Sequence, residues 1–159
     1  MKVLENYPIE NSLRINALSK YYIEVENKED FHKLHNFIKK NDLPVLVIGE
    51  CTNVVLPDFF NGIAVKPLFN NLNIKNNHVS VGSSVGWHEF VLQMIDSDIY
   101  GFENLSLIPG SVGAAPIQNI GAYGQDVSKL IKQVDCFNYK DGKFISCLLY
   151  TSDAADERR

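Results

Sequence analysis

The sequence predicts a mixed fold of strands and helices, and three observations carry that prediction. An alternating, β-rich run, "YYIEVEN" (21–27), is followed by a segment of helical periodicity and then by the wholly apolar "PVLVIG" (44–49). Short β-rich runs separated by Asn- and Gly-rich turns come next, and lead into a second helix-like segment. Near the end, two strand-like runs flank an Asp-Gly pair, the signature of a hairpin.

Residues 1–15 offer no element and read as a lead-in. After the first strand, Asn27 is placed to cap a helix, and Asp30 three positions later gives a near-capping-box start. Phe31, Leu34 and Ile38 share one face of that helix, with Phe37 at its margin. Lys39 and Lys40 suit the negative end of the helix dipole, and Pro44 blocks continuation. His32 and His35 sit three apart without a third ligand, so they read as a solvated face rather than a metal site. The apolar run 44–49 predicts a strand covered on both faces, which makes strand, helix and strand a parallel unit with a right-handed crossover. "GIAVK" (62–66), "LNIK" (72–75) and "HVSVGS" (78–83) read as further strands. "SVGWHEFVLQMIDSD" (84–98) reads as a helix burying Trp87, Phe90, Val91, Met94 and Ile95. "IKQVDCFNY" and "KFISC" form the two arms of the hairpin around Asp141-Gly142.

The chain has 159 residues, enough for one domain or a close pair of subdomains. A net charge of −4 argues against a nucleic-acid partner, which calls for a clustered basic excess. It leaves phosphorylated small ligands open, because backbone N–H groups can hold phosphate. Cys51, Cys136 and Cys147 are widely spaced, show no zinc-ligand pattern and suit a reducing cytoplasm. The N-terminal segment lacks the apolar core of a signal peptide, and no apolar run is long enough to cross a membrane. The expectation is a soluble, cytoplasmic chain with neither a membrane nor a nucleic-acid partner.

Two segments stand out chemically. "VLVIGECTNVVL" ends a buried strand in small and polar residues, which suits either a concave diphosphate-binding loop or an ordinary strand-to-loop turn. It matches neither common nucleotide fingerprint. "IPGSVGAAPIQNIGAYG" (108–124) holds four of the ten glycines, more than a turn requires. Its small residues admit close approach of a ligand to the backbone, and Gln118 and Asn119 offer paired donors and acceptors for a heterocycle edge. The composition is that of a long binding loop.

Together these segments, with "NSLRI" near the start and "GFENLS" before the second, closely resemble the UDP-N-acetylenolpyruvoylglucosamine reductase family of peptidoglycan precursor synthesis. The resemblance runs from residue 10 to the Asp141-Gly142 hairpin. It implies an α+β fold, an FAD-binding domain of the PCMH type built from two subdomains (16–66 and 67–147). It further implies that FAD is held by Gly49, Glu50, Cys51, Thr52 and Asn53 at its diphosphate, and by Ile108, Pro109, Gly110, Ser111, Gly113, Ala114, Asn119 and Gly121 along the rest. Tyr123 matches a family tyrosine near the substrate. The family pattern at the first loop is Gly-x-Gly-Ser-Asn, so Cys51 stands where the family has glycine and Thr52 keeps the hydroxyl.

The implied activity is NADPH-dependent reduction, through FAD, of the enolpyruvyl ether of a UDP-sugar, UDP-N-acetylglucosamine enolpyruvate, to UDP-N-acetylmuramate. The resemblance implies a catalytic serine, arginine and glutamate, none of which can be placed on this chain: the arginine is expected just past the hairpin, and the other two in a later substrate domain that is expected to be missing here. Residues 148–159, "LLYTSDAADERR", read as a non-native or disordered tail that resembles translated sequencing-adapter sequence. The competing readings are another PCMH-type flavoprotein, such as a carbohydrate oxidase, and an FAD- or nucleotide-binding module without catalysis.

Overall fold

The first helix shows how directly local sequence sets this structure. In the computed structural model, which describes residues 1–76 and 78–148, α1 spans Lys28–Asn41. The Asn27 side chain caps it by accepting from the Asp30 N–H at 3.1 Å. Asp42 ends it in the left-handed region (φ 49°), and its N–H donates to the Ile38 carbonyl at 3.0 Å. Asp30 does not close the expected capping box. Its carboxylate accepts from the Glu26 N–H and pairs with the Met1 ammonium at 2.7 Å and Lys33 Nζ at 3.1 Å. That fully buried carboxyl is held down at about 2, chiefly by its hydrogen bond to the N-terminal ammonium.

Four strands form the main sheet, in the order β1, β2, β4, β3. They are β1 (Lys2–Pro8), β2 (Leu18–Val25), β3 (Val45–Val47) and β4 (Phe59–Pro67). β1 runs antiparallel to β2, whereas β2 and β3 both run parallel to β4. Three expectations change here. The lead-in contains a strand, β1, an edge strand with mostly exposed residues and so no periodic signal. The strands of the parallel unit are not neighbours, because β4 lies between β2 and β3. Finally, β3 is an edge strand rather than a strand covered on both faces, with Val47 57% exposed. Ile23, Val25, Ile63 and Val65 meet Leu34 of α1 on one side of the sheet; Ala64 joins Ile9, Ala17, Ile48, Cys51 and Leu56 in a separate cluster.

The second half forms its own core. After the hairpin of β5 (Leu72–Lys75) and β6 (His78–Val81), α2 (Trp87–Asp96) buries Trp87, Phe90, Val91 and Met94, while Ile95 stays 36% exposed. Leu105, Ala115 and Val127 complete this cluster. The stretch 108–124 is therefore more than a surface loop. It holds a 3₁₀ turn at Val112–Ala114, the single-turn α3 (Ala115–Gln118) and β7 (Gly121–Ala122), which pairs with β8 (Gln125–Asp126).

The chain then returns to α1. β9 (Gln133–Asn138) and β10 (Lys143–Leu148) form the antiparallel hairpin around Asp141-Gly142. Phe137 and Phe144 pack on Phe31, with ring centroids at 4.7 and 5.4 Å. His32 lies edge-on to the same two rings, and His35 Nδ1 is 2.8 Å from the Tyr139 carbonyl oxygen. The expected solvated histidine face holds for His32, which stays exposed, whereas His35 is half-buried where a hairpin a hundred residues further along the chain packs against it. Apart from Leu148, which ends β10, the expected tail lies outside the described residues. Among the described residues no helix is long and apolar enough to cross a membrane.

Candidate functional site

The end of β3 and the start of the glycine-rich stretch are brought together. Ser111 Oγ lies 2.7 Å from the point where a Cβ on Gly49 would stand, so glycine there permits the close approach. Thr52 Oγ1 is 3.5 Å from the Pro109 carbonyl oxygen, and Asn53 Nδ2 donates to Gln118 Oε1 at 3.4 Å. Gly110 has φ +120°, a conformation only glycine holds without strain, and its missing Cβ would sit 3.2 Å from Thr52 Oγ1.

The second segment is fixed from behind by α2. Trp87 N–H donates to the Gly110 carbonyl at 2.8 Å, and its indole Nε1–H to the Leu105 carbonyl at 2.7 Å. The Val112 N–H donates to Val85, and the Gly113 N–H to Ser83, each at 2.9 Å. Gly113 lies so close to Ser83 that an added Cβ would meet its Cβ at 2.6 Å and its carbonyl oxygen at 2.9 Å. Ser111, Ala114 and Gln118 line a small crevice with Trp87, Pro109 and Ile120.

Cys51 is the strained point of the first loop. It takes a left-handed backbone, φ +50°, although it carries a side chain. That side chain is buried among Ile9, Ala17, Ile48 and Leu56. Burial pushes its thiol above the ordinary range and Lys66 opposes the shift, so the group is a packed thiol rather than a nucleophile. Among the described residues, the backbone N–H groups of Glu50, Cys51, Thr52 and Asn53 donate to no protein acceptor. Successive free N–H groups around a left-handed residue form a concavity suited to an anion.

Not every expected residue joins this centre. Ile108 is half-buried against the second core, Asn119 (φ 46°) points its amide to Asp126 Oδ2 at 3.3 Å, and Gly121 belongs to the β7–β8 pair. Tyr123 is 90% exposed, with φ 52°. The sequence reading also passed over two residues that touch the first loop. Ser12 donates to the Cys51 carbonyl from both N–H (3.3 Å) and Oγ (3.2 Å), and Lys66 Nζ donates to the Gly49 carbonyl. Ser12 lies within "NSLRI", one of the segments that carry the resemblance; nothing local marks Lys66.

Residues 19–148 match the family described as FAD binding domain. The chain belongs to that family. Its α+β fold is of the PCMH type, and FAD is its cofactor. The UDP-N-acetylenolpyruvoylglucosamine reductase of Polynucleobacter asymbioticus is 36% identical over 141 residues, 86% of this chain and 41% of the relative. That of Amoebophilus asiaticus is 37% identical over 150 residues, 89% of this chain and 44% of the relative. A crystal structure of UDP-N-acetylenolpyruvylglucosamine reductase from Thermus caldophilus superposes with a TM-score of 0.66 at 22% identity, over 80% of this chain and 45% of the other. 6-Hydroxy-D-nicotine oxidase from Arthrobacter nicotinovorans superposes at 0.57 and 17% identity, over 99% and 36%. These two likenesses show the fold. The FAD-binding domain spans less than half the length of the curated relatives it matches.

Proposed function

We propose that the chain is the FAD-binding portion of an NADPH-dependent UDP-N-acetylenolpyruvoylglucosamine reductase, and that Gly49–Asn53 and Ile108–Gly121 hold the cofactor. One observation carries the assignment of the site: the unpaired N–H groups of Glu50–Asn53 lie beside the start of the glycine-rich stretch, where Gly110 packs against Thr52 and Ser111 against Gly49. In this reading Gly49, Glu50, Cys51, Thr52 and Asn53 take the diphosphate through backbone N–H groups. Ile108, Pro109, Gly110, Ser111, Gly113, Ala114, Asn119 and Gly121 run along the rest of the dinucleotide, and exposed Tyr123 reaches toward the UDP-sugar enolpyruvyl substrate.

Bound FAD supplies the hydride chemistry, accepting electrons from NADPH and passing them on. The chain's own residues bind and orient; the proton donor and the charged groups that assist belong to the remainder of the longer protein. The subdomain division at residues 66 and 67, the non-native or disordered character of the tail and a cytoplasmic location form part of the same proposal. A flavin seated on this chain alone keeps one side open to water and forgoes apolar burial worth roughly 25 cal/mol per Å². The expected result is therefore measurable but weak FAD binding, with no turnover. Titrating the chain into FAD while following flavin fluorescence, then adding NADPH and the enolpyruvyl substrate, tests both parts. A complete lack of flavin affinity refutes the site, and steady NADPH oxidation coupled to substrate refutes the division of labour.

A further inference from the structure

Two carbonyls of the first loop are held from the protein side, and this bears on how the loop binds. The Cys51 carbonyl receives both the N–H and the hydroxyl of Ser12, at 3.3 and 3.2 Å. The Gly49 carbonyl receives the ammonium of Lys66, a half-buried residue of β4. Every peptide bond in the described chain is trans, so the N–H of each peptide unit points away from its own carbonyl. Holding the Gly49 carbonyl therefore turns the Glu50 N–H outward, and holding the Cys51 carbonyl does the same for the Thr52 N–H. Between them sits Cys51 in the left-handed region, a conformation that an L-residue leaves readily unless its neighbours hold it.

From this geometry we infer that Ser12 and Lys66 are positioning residues that preset the anion-binding face of the 49–53 loop. Neither needs to touch the ligand. Ser12 acts from the β1–β2 connection and Lys66 from the central strand, so the loop is braced from two separate elements. Two peptide units fixed in advance lose less conformational freedom on binding a diphosphate. The inference rests on the FAD-site reading above and deepens it.

Ser12→Ala, Ser12→Thr and Lys66→Met, made in the 159-residue chain, test it by flavin fluorescence titration with FAD and with riboflavin, which lacks the diphosphate. Net hydrogen-bond contributions predict about fivefold weaker FAD binding for Ser12→Ala and about tenfold for Lys66→Met. Ser12→Thr, which keeps the hydroxyl, is expected to restore the parent affinity, and riboflavin binding to change by less than about twofold. Thermal midpoints of the Ser12 variants, read from Trp87 fluorescence, are expected to move little, since Ser12 is exposed. Parent-like FAD binding by both Ser12→Ala and Lys66→Met overturns the inference and leaves the FAD site standing. Equal losses for FAD and riboflavin overturn it too, in favour of general destabilisation. No FAD affinity in the parent chain overturns it together with the site reading.

Discussion

Position 51 offers a direct test of whether backbone strain is stored in the first loop. Replacing Cys51 by alanine removes a buried sulfur and keeps the side chain at φ +50°; replacing it by glycine removes the sulfur and the strain together. At an ordinary buried position, going from alanine to glycine loses one methyl's burial, about 0.8 kcal/mol, and adds backbone freedom in the unfolded chain, about 0.5–1 kcal/mol. Glycine would then be the less stable by about 1.5 kcal/mol. A left-handed backbone costs an L-residue about 1–2 kcal/mol, which glycine recovers. The two effects nearly cancel, so Cys51→Gly and Cys51→Ala are expected to agree within about 0.5 kcal/mol. Both fall below the parent by about 1–2 kcal/mol for the lost sulfur packing. Urea denaturation followed at Trp87, the single tryptophan, measures all three. If the glycine variant is less stable than the alanine variant by the full 1.5 kcal/mol or so, the strain is not there and the reasoning fails.

Other predictions follow from the supports around the site. Trp87→Phe keeps most of the ring packing but leaves the Leu105 carbonyl without its indole donor; a loss of about 1–3 kcal/mol in urea denaturation, read by circular dichroism, is expected. Gly113→Ala forces a methyl against the Ser83 backbone, and about 1–3 kcal/mol of destabilisation with weakened FAD binding should follow. For Asp30, the folded carboxyl lies at about 2, below its ordinary 3.8, so its contribution is complete above the ordinary value and disappears as pH falls through the folded one. Asp30→Asn should therefore be less stable than the parent at pH 6, with the gap in thermal midpoint closing as the pH approaches 2.

Where local sequence dictates local structure, the sequence was readable. Asn27, the spacing of Phe31, Leu34 and Ile38, and Pro44 defined α1 almost to the residue, and Asp141-Gly142 defined the hairpin. β1 escaped because an exposed edge strand has no alternation to read. The insertion of β4 between β2 and β3 escaped because strand order is decided by packing across the whole sheet. The hairpin's packing on α1 was invisible for a similar reason: Phe137 and Phe144, which meet Phe31, arrive from far along the chain. Within the site, the glycine excess at 108–124 announced close approach of something to the backbone. The partners of the first loop, Ser12 and Lys66, lie 39 and 17 residues from the groups they hold, so only the fold could supply them.

The sheet order also sets a timetable for folding. β1, β2, α1 and β3 all emerge from a ribosome before β4, yet β2 and β3 cannot pair with each other, since the place between them belongs to β4. Until Phe59–Pro67 has been synthesised, both strands present bare parallel edges, and Ile23 and Val25 have no Ile63 or Val65 to pack against. The central strand is thus the last of the four to be made and the one that closes the sheet. A nascent chain halted before it carries an open slot, and any foreign β-strand could take the place meant for its own.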